Sequence, residues 1–146
     1  MDIKRLIIGT VVGAITLYIL GYLIFDLVFA EFYAANAGSA TGVVRDNQVV
    51  WAVALGTLSY AALLTLAIGT FAGSATIVDG LKIGVIVGFL LWFTVDFIFY
   101  GIFNISNLTL TFVDPLLELI RAGITGAVIA AVLGQIAGAP EAPQTE

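Results

Sequence analysis

The chain has 146 residues, 61% of them hydrophobic and only 10% charged, with a mean hydropathy of +1.13. A soluble domain of this length needs far more polar surface. Cysteine and histidine are absent, which excludes disulfides, thiolate metal sites and the usual haem and zinc ligands. The net charge of −5 is divided among tail, loops and membrane segments, and nothing in it points to nucleic acid.

Four long apolar segments remain once the charges are marked, each near the ~20 residues that a bilayer-spanning helix requires. The sequence therefore predicts an all-α integral membrane protein, a bundle of four transmembrane helices over residues 1–138. The first helix is expected over about 6–32. Lys4 and Arg5 precede it like the basic end of a signal peptide, and Ala35-Asn36-Ala37 resembles a small-residue cleavage site, but so long an apolar run favours a retained helix. The stretch 34–48 is rich in Gly, Ser, Asn and Asp and reads as a loop. The second helix is expected over 49–71, entered through Trp51 at the membrane interface. Gly73, Ser74 and Ala75 make a turn, and the third helix covers 78–103. After an uncharged loop, Asp114 as N-cap and Pro115 as first helical residue predict a fourth helix over 115–136. Residues 139–146 (APEAPQTE) read as a disordered tail.

Lys4, Arg5 and Lys82 fall on one side of this topology and Arg45 on the other, which favours both termini in the cytoplasm. Asp96 is the only charge between Ile83 and Val113. A carboxylate in hydrocarbon costs roughly 2.5–3.5 kcal/mol on insertion scales, so it marks a functional site whose partner has to be found. Asp26, Asp96, Glu118 and Arg121 all fall in the outward half of their helices, beside Asn104 and Asn107 in the third loop. Asp114, Glu118, Arg121 and Thr125 recur at i, i+4, i+7 and i+11 and so share one helical face. Arg121 is the only strong cation at that depth, and its planar fork suits Asp96, Asp26 or Glu118.

Three acids facing one arginine leave a charge deficit that a proton or a bound cation would restore. Carboxylates, Asn amides and hydroxyls are hard oxygen donors, which select sodium, calcium or magnesium over softer metals. The candidate ligand- or ion-binding residues are therefore Asp26, Asp96, Asn104, Asn107, Glu118 and Arg121, with no catalytic residue and no organic cofactor expected. Aromatics crowd the same level, from Phe25 to Tyr33 and from Trp92 to Phe103, as an interface belt and bundle packing. Gly80, Gly84 and Gly88 form a ridge on the third helix, and Gly9 with Gly13 another on the first. Such ridges allow close backbone approach in lipid, either within one bundle or between copies of a homo-oligomer.

The run Tyr100–Asn107 (YGIFNISN), with Asp26-Leu-Val-Phe-Ala-Glu-Phe-Tyr33 and Trp51 opening the second helix, resembles an uncharacterised family of small bacterial four-helix membrane proteins. That family carries a Leu-Asp-aromatic start, a Tyr-Asp-Leu-Thr-Asn segment after its third helix and an Asp followed by Trp-Gly in its fourth. Asn107 matches the family's Asn, Asn104 stands in place of an Asp, and Arg121 stands where Trp is expected. The resemblance implies a four-helix scaffold in a prokaryotic cytoplasmic membrane, with no activity attached to it. Three functions remain. The first is binding or permeation of a cation or small polar solute at the outward acidic cluster. The second is an accessory subunit of a larger membrane complex, with the charges fully paired. The third is an enzyme acting on a lipid, which without His or Cys would rest on Asp, Glu or a metal.

Overall fold

A backbone in hydrocarbon has to satisfy its own N–H and C=O groups, and each apolar stretch does so as a helix. The computed structural model describes residues 1–71 and 76–137. Four helices among them are long and apolar enough to cross a bilayer: Ile3–Val28, Val50–Thr70, Ile77–Ile102 and Leu108–Ile136. The expected turn at residues 73–75, Gly138 and the tail 139–146 lie outside the described residues.

Helix α1 (Ile3–Gly21) starts at Asp2, whose side chain accepts from the Arg5 N–H at 2.8 Å. The first span was expected as one α-helix to residue 32. Instead it passes into a π-helical segment, Tyr22–Val28, and then the short α2, Ala30–Ala35. The Phe29 N–H reaches the Ile24 carbonyl, five residues back, at 2.8 Å. One extra residue in a turn rotates everything downstream by about 100°. This wide turn leaves Asp26 exposed, and the short helix beyond it carries Tyr33 back to the bundle.

Helices α3 (Val50–Phe71) and α4 (Ile77–Ile102) fall where the hydropathy places them, and Thr76 caps α4 by accepting from the Asp79 N–H at 3.1 Å. Helix α5 (Leu108–Ala137) corrects the expected start at Pro115. Asn107 is its cap, its side-chain oxygen accepting from the Leu110 N–H at 2.9 Å. Pro115 lies inside the helix and fully buried. It has no N–H to offer the carbonyl four residues back, so the helix crosses it with one bond fewer. Asp114, released from capping, turns its carboxylate to other partners.

The two loops on this side clasp each other. Gly38 N–H donates to the Ile105 carbonyl and Ala40 N–H to the Asn104 carbonyl, each at 3.0 Å, and Ala37 and Ser106 form an antiparallel bridge. A Cβ on Gly38 would overlap the Asn104 carbonyl, so this close approach requires glycine.

Helix α5 is the axis of the bundle, packed along α4 on one side and against α1 on the other, while α3 leans mainly on α1. Glycine sets the α4–α5 distance. A Cβ on Gly80 would overlap the Gly126 carbonyl, and one on Gly84 the Ala122 carbonyl. The α1 ridge is occupied in the same way, Gly9 by Thr65 of α3 and Gly13 by Ala61 of α3 and Ile129 of α5. Both ridges are therefore used within one chain and are not free faces for a homo-oligomer. The apolar core joins Leu17, Leu64, Ile68, Ile129 and Leu133. Beyond it, from Val50 to Ser59, α3 is exposed at every position except Thr57. Clefts open on both flanks of this outer half.

Candidate functional site

The polar residues expected as one cluster separate into three groups. At the loops, Asn107 spends both ends of its side chain on structure, the oxygen on the α5 cap and the amide on the Asn36 side-chain oxygen at 2.9 Å. The Asn104 amide donates to the Ser39 hydroxyl. Neither Asn is brought to the carboxylates.

In the second group, Asp96 of α4 and Asp114 of α5 meet in a pocket of about 190 Å³, lined also by Tyr33, Trp92, Ser106 and Thr111. Both carboxyl groups line this one pocket. The Tyr33 hydroxyl donates to Asp114, and its ring packs edge-on against Phe25 at 5.5 Å between centroids. One oxygen of Asp96, Oδ2, is buried without a partner. No basic residue lines this pocket. Ser106 and Thr111 are within 3.3 Å of each other through their hydroxyls, and Thr111 donates to the Asn107 carbonyl at 2.9 Å.

Burial and the hydrogen bond to Asp114 push the Tyr33 phenol well above its ordinary value of 10.0. A folded phenol that holds its proton more tightly than the unfolded chain contributes stability in full below about pH 10 and loses it as the pH climbs further. Spectrophotometric alkaline titration of the protein against Tyr33→Phe should therefore show no phenol ionising near pH 10 in the difference curve. A full tyrosinate step at that pH would mean the Tyr33–Asp114 bond is absent in the bilayer.

The third group is an ion pair in the bundle interior. Arg121 Nη1 lies 2.6 Å from Glu118 Oε1, and Glu118 is 2% exposed. It is the one salt bridge among the described residues. Arg121 Nε donates to the Leu17 carbonyl of α1 at 3.0 Å, the guanidinium sits 5.4 Å from the Phe25 ring centroid, and Gly21 lets it lie flat on α1. Arg121 therefore takes Glu118 from its own helix and not Asp96 or Asp26. Asp26 faces the cleft on the α1 flank of α3, where Arg121 forms the far wall and Gln48 the rim. Among the described residues no group of three or more Asp or Glu side chains is arranged to hold a metal ion. The carboxyl group that shares a pocket with Asp96 is Asp114, while Asp26 is exposed at the wide turn and Glu118 is joined to Arg121.

Sequence reasoning missed Asp114 and Tyr33 as site residues. The i, i+4, i+7 face containing Asp114 was visible, but its assignment as an N-cap hid the carboxylate. Nothing in the one-dimensional pattern pairs Tyr33 with a residue 81 positions away.

Four apolar helices, an internal ion pair and a half-buried pair of carboxyl groups define the class, a small multi-pass integral membrane protein with an all-α fold. No family model, no curated protein and no solved structure matches the chain.

Proposed function

We propose that the protein binds a proton or a small hard cation at the Asp96–Asp114 pair, from the side of the membrane on which the two loops clasp. The observation that carries this reading is the meeting of two carboxyl groups in a pocket without a basic residue, one of their oxygens buried and unpartnered. Two like charges in a low-dielectric site need a positive charge between them. The oxygen atoms of Asp96, Asp114, Ser106 and Thr111 make a hard donor set, suited to sodium, calcium or magnesium. The accessory-subunit reading expects every buried charge to be paired, whereas only Glu118 and Arg121 are joined in this way. With both termini cytoplasmic, the pair faces the outside, and the site would serve uptake or sensing of the cation. The likeness to the bacterial four-helix family is part of the same reading and supplies a scaffold only.

The test uses purified protein in lipid nanodiscs. Infrared difference spectra across a pH series read carboxyl protonation, and calorimetric titration with sodium, calcium and magnesium reads the competing ions. Asp96→Asn and Asp114→Asn should each abolish proton uptake or weaken ion binding by at least tenfold. Unchanged proton and ion binding in both variants would sink the proposal.

A further inference from the structure

The geometry points to a second site, a groove between α1 and α3 for one phospholipid with an ammonium headgroup, phosphatidylethanolamine. Its loop-side part is the cleft of about 360 Å³ that has Asp26 and Gln48 on the rim, Tyr22 on one wall and Arg121 at the far side. Below it lies an apolar cleft of about 260 Å³, walled by Ile15 and Ile19 of α1 and by Ala54 and Leu58 of α3. Tyr18 and Thr57 line both, so the two adjoin along the same pair of helices. The polar end is toward the loops and the apolar end toward the membrane centre, the orientation of a lipid in that leaflet.

Depth sets the level of each part. The first span, Ile3–Val28, has 26 residues, about 39 Å of helix against ~30 Å of hydrocarbon. Asp26 therefore stands in the headgroup region, as does Gln48, two residues before the second span begins at Val50. The guanidinium is deeper, because Arg121 Nη2 comes within 3.0 Å of the point that a Gly21 Cβ would occupy. Gly21 is five residues before Asp26, about 7 Å along a helix axis. From the loops inward the groove thus presents a carboxylate, then a guanidinium, then aliphatic side chains. Ammonium, phosphate and acyl chain follow one another in the same order in phosphatidylethanolamine.

Charge selects the headgroup. Glu118 neutralises Arg121 through the one salt bridge among the described residues, and Asp26 has no such partner there. The groove therefore carries one uncompensated negative charge at its mouth. An ammonium balances it, whereas an anionic headgroup adds a second negative charge. Of the five N–H groups of a guanidinium, Arg121 commits two, to Glu118 and the Leu17 carbonyl. Its side chain is 12% exposed, and a phosphate oxygen takes a remaining donor in a charge-assisted bond. The Tyr22 ring adds an aromatic face of the kind that attracts ammonium. An ethanolamine ammonium has N–H groups for both Asp26 and the Gln48 side-chain oxygen, and a choline has none.

Native mass spectrometry of the full chain in detergent tests this, with phosphatidylethanolamine, phosphatidylglycerol and phosphatidylcholine of identical acyl chains as probes. One phosphatidylethanolamine should bind saturably, about tenfold more tightly than either of the others. Asp26→Asn should weaken it about tenfold, the loss of one hydrogen bond to a charged group, and remove most of its preference over phosphatidylglycerol. Asp26 is exposed and outside the ion pair, so the fold has nothing to lose by this change. Ala54→Phe fills the apolar part from an exposed position. It should weaken all three lipids about tenfold and leave their order unchanged. Equal binding of the three lipids to the unaltered protein, or an undiminished preference in Asp26→Asn, would overturn the proposal. So would free phosphoethanolamine binding as tightly as the whole lipid, since a soluble zwitterion would then be the occupant.

Discussion

Gly84→Ala should destabilise the bundle by about 3 kcal/mol or more, the upper range for overpacking a close-packed interior. The added methyl would meet the Ala122 carbonyl and the Cα of Gly123, both on the backbone of α5. No rotamer change relieves such a contact, so the two helices have to separate. Separation is costly because in lipid their attraction is mainly van der Waals packing at close range. Gly80 and Gly126 repeat the contact from both sides, which makes the whole ridge one unit. Gly56→Ala is the internal control. Its Cβ meets nothing within 4 Å, and replacing a helical glycine by alanine should stabilise by about 0.5–1 kcal/mol. Unfolding in mixed detergent micelles, followed by circular dichroism, compares the two. Equal effects of Gly84→Ala and Gly56→Ala would mean that α4 and α5 do not cross at this distance.

Arg121→Leu should cost about 3–5 kcal/mol, the penalty for leaving one member of a buried ion pair without its partner. Glu118 is 2% exposed, and its one engaged oxygen is the one that Arg121 holds. Removing the arginine also takes the donor from the Leu17 carbonyl and the cation from the Phe25 face. Glu118→Leu combined with Arg121→Leu should recover more than half of that loss, because no charge is then left in the interior. The same micelle unfolding assay closes the cycle. Strictly additive losses in the double variant would show that Glu118 and Arg121 do not interact in the bilayer. The pair therefore sets helix geometry by being matched, and its net contribution to stability is smaller than either single substitution suggests.

Much of the architecture was legible because hydropathy is a one-dimensional signal. The positions of α3 and α4, the Gly80–Gly84–Gly88 ridge and the depth of Asp96 all follow from counting along the chain. The departures have identifiable causes. Pro115 with Asp114 before it imitates a helix start, yet Asn107 seven residues earlier provides the same capping chemistry and the chain takes it. The first span widens into a π-helical segment at Tyr22, and beyond it Tyr33 returns to Asp114, a tertiary pairing that no local pattern announces. Phe25 reads as part of an aromatic belt in sequence, and only the fold shows it beside a guanidinium that also lies against Gly21.

Residue type and spacing by themselves determined that this chain spans a membrane with four helices, that the acids deep in its spans sit toward one side and that glycines carry its helix contacts. Each is a property of a single segment in a known solvent, and the bilayer supplies that solvent. Which acid meets which was decided only by the tertiary structure. Asp96 could face Arg121 or Asp114 at the same depth, and the choice depends on the rotation of α4 about its axis. That rotation is set by the glycine contacts with α5, whose partner carbonyls lie about forty residues away along the chain.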